Sequence, residues 1–145
     1  MSERPQSFEN HAKMVPLYHY VGSPLFLLAF LTFGYLTVAD FSVERLAFMA
    51  VLVYLGIVGL YARLFALGVQ DRVIRLEERL RLQRLLPEAL RLRIGELTTR
   101  QLIALRFASD AEVAELAARV LSGELADPKE IKRAVRSWRA DHQRV

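Results

Sequence analysis

MVPLYHYVGSPLFLLAFLTFGYLTVA (Met14–Ala39) and LAFMAVLVYLGIVGLYA (Leu46–Ala62) carry no formal charge, and the short charged turn DFSVER (Asp40–Arg45) separates them. The first run has about 26 residues and the second about 17, against the roughly 20 that a helix needs to cross a hydrocarbon core. The pattern predicts an all-α chain. A two-helix transmembrane hairpin occupies residues 16–62, with spans of about 16–39 and 46–66. A polar segment, 1–15, precedes it, and a cytoplasmic α-helical domain, 63–145, follows.

Charge is segregated. A mean hydropathy of +0.20 coexists with 25% charged residues because nearly all charge lies outside residues 14–62, as expected when two solvents act on one chain. From Arg63 onward there are 17 basic and 12 acidic groups. The positive-inside rule places such an excess, and therefore both termini, on the cytoplasmic side. The first run is too long for the apolar core of a secretory signal, no A-x-A site follows it, and a second run comes straight after. It is therefore expected to be retained. With no cysteine in 145 residues, disulfides, thiolate metal sites and cysteine nucleophiles are excluded.

Within the first span, Tyr18, His19 and Tyr20 form an interfacial anchor, where amphipathic rings sit at headgroup depth. Two starts are open. Ser23-Pro24 suits an N-cap followed by a first turn; alternatively the helix begins at Pro16 and kinks near Pro24. The kinked helix is the preferred expectation.

In the second span, Gly56, Gly59, Ala62 and Ala66 recur at spacings of three, three and four, a smooth strip on which another helix can pack closely. The first span, a second copy or a foreign subunit could occupy it. Arg63, just beyond, can snorkel to the interface. With only Gly68 as a breaker before Leu86, the span is expected to continue as a stalk helix of about 40 residues, roughly 60 Å long. Val69, Val73, Leu76 and Leu80 follow heptad spacing over about two heptads. They are expected to pack against the C-terminal helices, with self-association the alternative. Asp71 with Arg75 and Glu77 with Arg81 are acid-first i, i+4 pairs. Arg63, Arg72, Arg75 and Arg79 form a basic face for lipid headgroups or an acidic partner.

Beyond Pro87, about four short helices are expected: Pro87–Ile94, stopped by Gly95, then Thr99–Ala108, Asp110–Leu121 and Pro128–Arg139. The last three follow capping signals at Thr98-x-x-Gln101, Ser109-x-x-Glu112 and Asp127-Pro128-x-Glu130. Leu102, Leu105 and Phe107, then Val113, Leu116 and Val120, then Ile131, Val135 and Trp138 supply their apolar stripes.

Taken together, Asn10-His11 with Val15–His19, the run Val69–Arg81, and Pro128–Lys132 with Trp138-Arg139 resemble a family of small two-span bacterial membrane proteins of unknown function. The likeness covers nearly the whole chain. It implies a bacterial inner-membrane protein and brings no catalytic residues. The family pattern often places proline after the tryptophan-arginine pair, where this chain has Ala140.

His11 and His19 are the candidates for a metal or haem ligand, but they lie eight residues apart with Pro16 between them, and the second span offers no histidine. No cofactor or metal is therefore expected. No phosphate-binding glycine loop or nucleophile elbow occurs. Lys132, Arg136 and Arg139 follow ordinary helix-face spacing without a DNA-reading module, so no nucleic-acid partner is expected. The expected role is a non-enzymatic inner-membrane scaffold or accessory subunit. Its partners would be membrane lipids and either its own copies, in a homo-oligomer, or a larger complex. The alternative is a homo-oligomeric channel or transport component.

Overall fold

A computed structural model describes residues 7–9 and 14–141. These are all-helical, with two long apolar helices followed by shorter ones. A π-helical segment, Leu17–Gly22, leads into α1 (Ser23–Ala39), followed by α2 (Val43–Leu85), α3 (Glu88–Arg91), a 3-10 turn (Ile94–Glu96), α4 (Thr99–Leu105), α5 (Val113–Leu121) and α6 (Pro128–Ala134). The described residues fall into two compact units. One lies within Lys13–Ala66, and the other comprises Leu67 onward together with Ser7, Phe8 and Glu9.

In the first unit the helix does not wait for Pro24: it begins at Leu17, next to the expected start at Pro16, and continues through Pro24 to Ala39. Pro24 brings no N–H, and upstream of it the chain adopts the wider π turn: the Tyr18 carbonyl accepts both the Ser23 N–H and the Ser23 hydroxyl, the latter at 2.9 Å. Such π turns relieve a local mismatch without ending the helix. Helix α2 starts at Val43, three residues before the apolar run. The Ser42 hydroxyl accepts the Arg45 N–H at 3.2 Å, and the Arg45 guanidinium meets the Asp40 carboxylate at 2.5 Å. Phe33 stacks on Phe48 with ring centroids 4.6 Å apart, and Gly34 faces the Met49 methyl. Leu17–Ala39 and Val43–Leu85 are both long and apolar enough to cross a membrane. Most of their large apolar side chains point outward.

The second unit closes around Leu82 of α2 and Leu86 just beyond it, Leu102 and Leu105 of α4, Val113 and Leu116 of α5, and Ile131 of α6, all buried. Trp138 packs on Phe107 with centroids 4.9 Å apart. The heptad residues of α2 do not serve this core. Val69, Val73, Leu76 and Leu80 are exposed, and the buried face is Ile74, Glu78, Arg81 and Leu82, continued by Leu86 just past the helix end. Apolar spacing alone misassigned it, because two of the five inward residues are charged and became buried by pairing.

The expected acid-first pairs are likewise replaced. Arg81 turns from Glu77 to Glu78 and Asp110, and no ion pair joins Asp71 to Arg75 among the described residues.

Helix boundaries followed capping wherever the cap was free to act. Thr98 and Gln101 form the full reciprocal box, and α4 starts where expected. At Ser109 only half the box forms: its N–H donates to Glu112 Oε1 at 3.3 Å, while the same carboxylate accepts the backbone N–H groups of Arg136 and Ser137 at 3.1 and 3.0 Å. Helix α5 consequently begins at Val113, and α6 stops at Ala134, where Val135 turns extended. An isolated antiparallel bridge joins Ala108 to Trp138, so Arg136 and Arg139 do not share a helix face with Lys132. Helix α3 stops at Arg91, and Gly95 lies inside the 3-10 turn rather than after a helix. Gly123, at φ +83°, provides the left-handed residue that ends α5.

Candidate functional site

Glu78 and Arg81 are among the few charged residues buried in the second unit. They sit one turn apart on α2, with Arg81 Nη1 donating to Glu78 Oε2 at 3.0 Å. Arg81 Nε donates to Asp110 Oδ1 at 2.8 Å and Nη2 to the Ala108 carbonyl at 2.7 Å. Arg139 reaches Glu78 Oε1 at 3.4 Å, and its backbone N–H donates to the Phe107 carbonyl at 2.7 Å. Arg106, also buried, pairs with Asp141 at 3.4 Å.

Glu78, Arg81, Arg106, Arg139 and Asp141 line an open cleft of about 650 Å³. The hydrogen bond from Arg81 holds the Asp110 carboxyl below the usual carboxylate range, and the charges of Arg139 and Arg84 act in the same direction. Each buried cation faces a carboxylate, so the cluster ties α2 to the α4–α5 connection and to the segment after α6. Such a balanced network fixes geometry. In the sequence Glu78, Arg106 and Asp110 show no pairing signal of their own beyond the i, i+3 spacing of Glu78 and Arg81, and Arg139 reads as part of a helix face with Lys132 and Arg136. The partnership of Arg81 with Asp110 crosses 29 positions.

The predicted basic face is present as a surface of one helix. Arg72, Arg75 and Arg79, together with Val69, Val73 and Leu76, line a shallow groove of about 400 Å³. Arg79 Nε is shielded from solvent and has no hydrogen-bond partner. Arg63 lies in the other unit, where its guanidinium stands 5.9 Å from the centre of the Tyr18 ring.

The predicted aromatic anchor is a local cluster. Tyr18 and His19 meet edge-to-face at 5.0 Å, and His19 Nδ1 lies 3.0 Å from both the backbone nitrogen and the carbonyl of Val15. His11 lies outside the described residues. Among the described residues no group of histidines and carboxylates could hold a metal.

The small-residue strip divides. A Cβ at Gly56 would stand 3.0 Å from Phe26 Cζ, so this glycine admits the first span. Gly59 has nothing within 4 Å of the same position, and Ala62 and Ala66 are exposed.

The family model described as a family of unknown function, DUF6526, matches residues 1–145, and the chain belongs to that family. The resemblance noted in the sequence was to an uncharacterised family, and in that respect the match agrees with it along the entire chain. No curated protein and no solved structure matches the chain.

Proposed function

We propose that this member of the family is a non-enzymatic scaffold or accessory subunit of the bacterial inner membrane. On this reading the hairpin is the anchor, both termini face the cytoplasm, and the helical unit presents its arginine face to anionic headgroups or an acidic partner. The observation that carries the proposal is the outward exposure of the apolar residues on both long helices. The core helix of a water-soluble protein would hide those side chains, and a signal sequence would account for the first helix alone.

The basic excess after the second apolar run supports the orientation, and Arg72, Arg75 and Arg79 suit a surface of anionic lipid. The channel alternative loses support. Its polar lining would be limited to Thr32, Tyr35, Thr37, Tyr54 and Tyr61, and the Thr37 hydroxyl is already donated to the Phe33 carbonyl at 2.7 Å. The balanced pairing around Arg81 supports a structural use of the buried charges rather than a catalytic one.

Cysteine labelling tests the orientation, because the natural chain has no cysteine to remove. In intact cells a membrane-impermeant maleimide should label S42C in the turn and leave S122C unlabelled until the inner membrane is opened. Labelling of S122C in intact cells would overturn the orientation.

A further inference from the structure

We infer that Val69, Val73, Leu76 and Leu80 pair with the same residues of a second copy of this chain, as a short parallel two-helix seam. The inference rests on the membrane-anchored reading above and adds to it the identity of the partner. The four side chains are 62, 49, 60 and 52% exposed and form an apolar stripe along one face of α2 beyond Leu67. The opposite face, carrying Ile74, Glu78, Arg81 and Leu82, is buried in the chain's own core. The seam is therefore unused within the monomer, and the core offers no way to turn it inward.

Their spacing of four, three and four assigns Val69 and Leu76 to d positions and Val73 and Leu80 to a positions. The central pair, valine at a and leucine at d, is the combination that favours two parallel strands. The flanking charges then decide between orientations. In a parallel pair each g position faces the following e position of the partner, which sets Arg72 against the second copy's Glu77, twice by the two-fold symmetry. Among the described residues neither side chain has an ion-pair partner within the monomer. In an antiparallel pair, g would face g, and Arg72 would meet Arg79 of the other copy. Charge thus favours the parallel form, which is also the only one open to two chains inserted in a membrane with the same orientation. The parallel match fails one heptad on, where Arg79 would face Arg84, and the apolar seam ends there too, at Gln83.

Two heptads are too few to hold two chains together in dilute solution. Anchoring in one plane removes much of that demand by raising the effective concentration of each copy for the other. In the sequence, the same alternation of three and four runs back from Val69 through Ala66 and Ala62 to Gly59. These are small residues, of the kind that let helices approach closely in lipid.

The test uses full-length single-cysteine variants in native membranes under mild oxidation. V73C and L76C should give disulfide-linked dimers of the chain several-fold above D71C, which lies half-buried on the opposite face of the same helix, with Ile74 and Glu78. Reversing one charge, R72E, should lower the V73C dimer roughly twofold to fourfold, on the scale of exposed ion pairs. Adding E77R to it should restore the yield. Yields at positions 73 and 76 no higher than at 71 would overturn the inference, as would cross-linking to a different protein or a failure of E77R to rescue R72E. Membrane-fraction chain that forms no dimers sinks only the pairing, whereas chain found free of membranes sinks the anchored reading itself.

Discussion

Arg81 and Asp110, 29 positions apart, meet through two guanidinium nitrogens and one carboxylate oxygen, at 2.8 Å from Nε and 2.6 Å from Nη2. Arg81 is buried while Asp110 remains largely in water. The same guanidinium also satisfies the buried Glu78 and the Ala108 carbonyl. One side chain therefore joins α2 to the loop between α4 and α5.

Replacing Arg81 by alanine leaves Glu78 buried with only the more distant Arg139, and should destabilise the chain by about 3–5 kcal/mol, the usual cost of breaking a buried pair. The double change R81M/E78Q should recover much of the loss, because it removes both charges. Thermal unfolding in detergent, followed by circular dichroism, distinguishes the two. Equal losses in both variants would show that packing rather than charge dominates the site.

The Asp110 carboxyl is held below its ordinary range by Arg81, so its contribution to stability has a defined sign. It is fully present above the unfolded-state value, about 3.9, and is lost as the pH falls from there through the lowered folded value. Glu96, lowered by its hydrogen bond from Arg93, adds a loss of the same sign, beginning just above pH 4. D110N should flatten the acid limb of a stability–pH profile and leave its neutral region level. An unchanged acid limb would contradict this assignment.

The all-helical character, the long second helix and the Thr98 cap were legible because each depends on neighbours a few residues apart. The inward face of α2 was not. Its key members, Glu78 and Arg81, look like solvated charges until distant partners meet them, and the apolar residues that looked like core lie on the other side. The shortened α5 and α6 have one common cause: Glu112 was read as a cap for Ser109, but its carboxylate also receives the Arg136 and Ser137 backbone N–H groups. The π turn before α1 escaped notice because Ser23-Pro24 suits either a helix start or a kink, and the double hydrogen bond to the Tyr18 carbonyl is visible only in three dimensions.

The two glycines three residues apart in α2 should respond differently to the same change. G56L drives a side chain into Phe26 and should cost about 1–3 kcal/mol through overpacking. G59L meets open space and should leave the fold of the monomer within about 0.5 kcal/mol of the parent. Any effect of G59L should therefore appear in assembly rather than in unfolding. A matched loss of stability in both would contradict the division of the strip.

Thr98 accepts the Gln101 N–H while Gln101 returns a bond to the Thr98 N–H at 2.9 Å. T98A should cost about 1 kcal/mol, as is typical of a lost cap, and increase amide exchange in α4 before it affects α5. Uniform acceleration across both helices would indicate global unfolding rather than fraying at the cap.

The claim on which the account rests is that α1 and the apolar half of α2 lie in lipid. Alkaline carbonate washing of membranes from cells producing the full chain tests it directly. The chain should stay in the washed membrane pellet and leave it only when detergent is added; recovery of folded chain in the carbonate supernatant, without any amphiphile, would contradict the account.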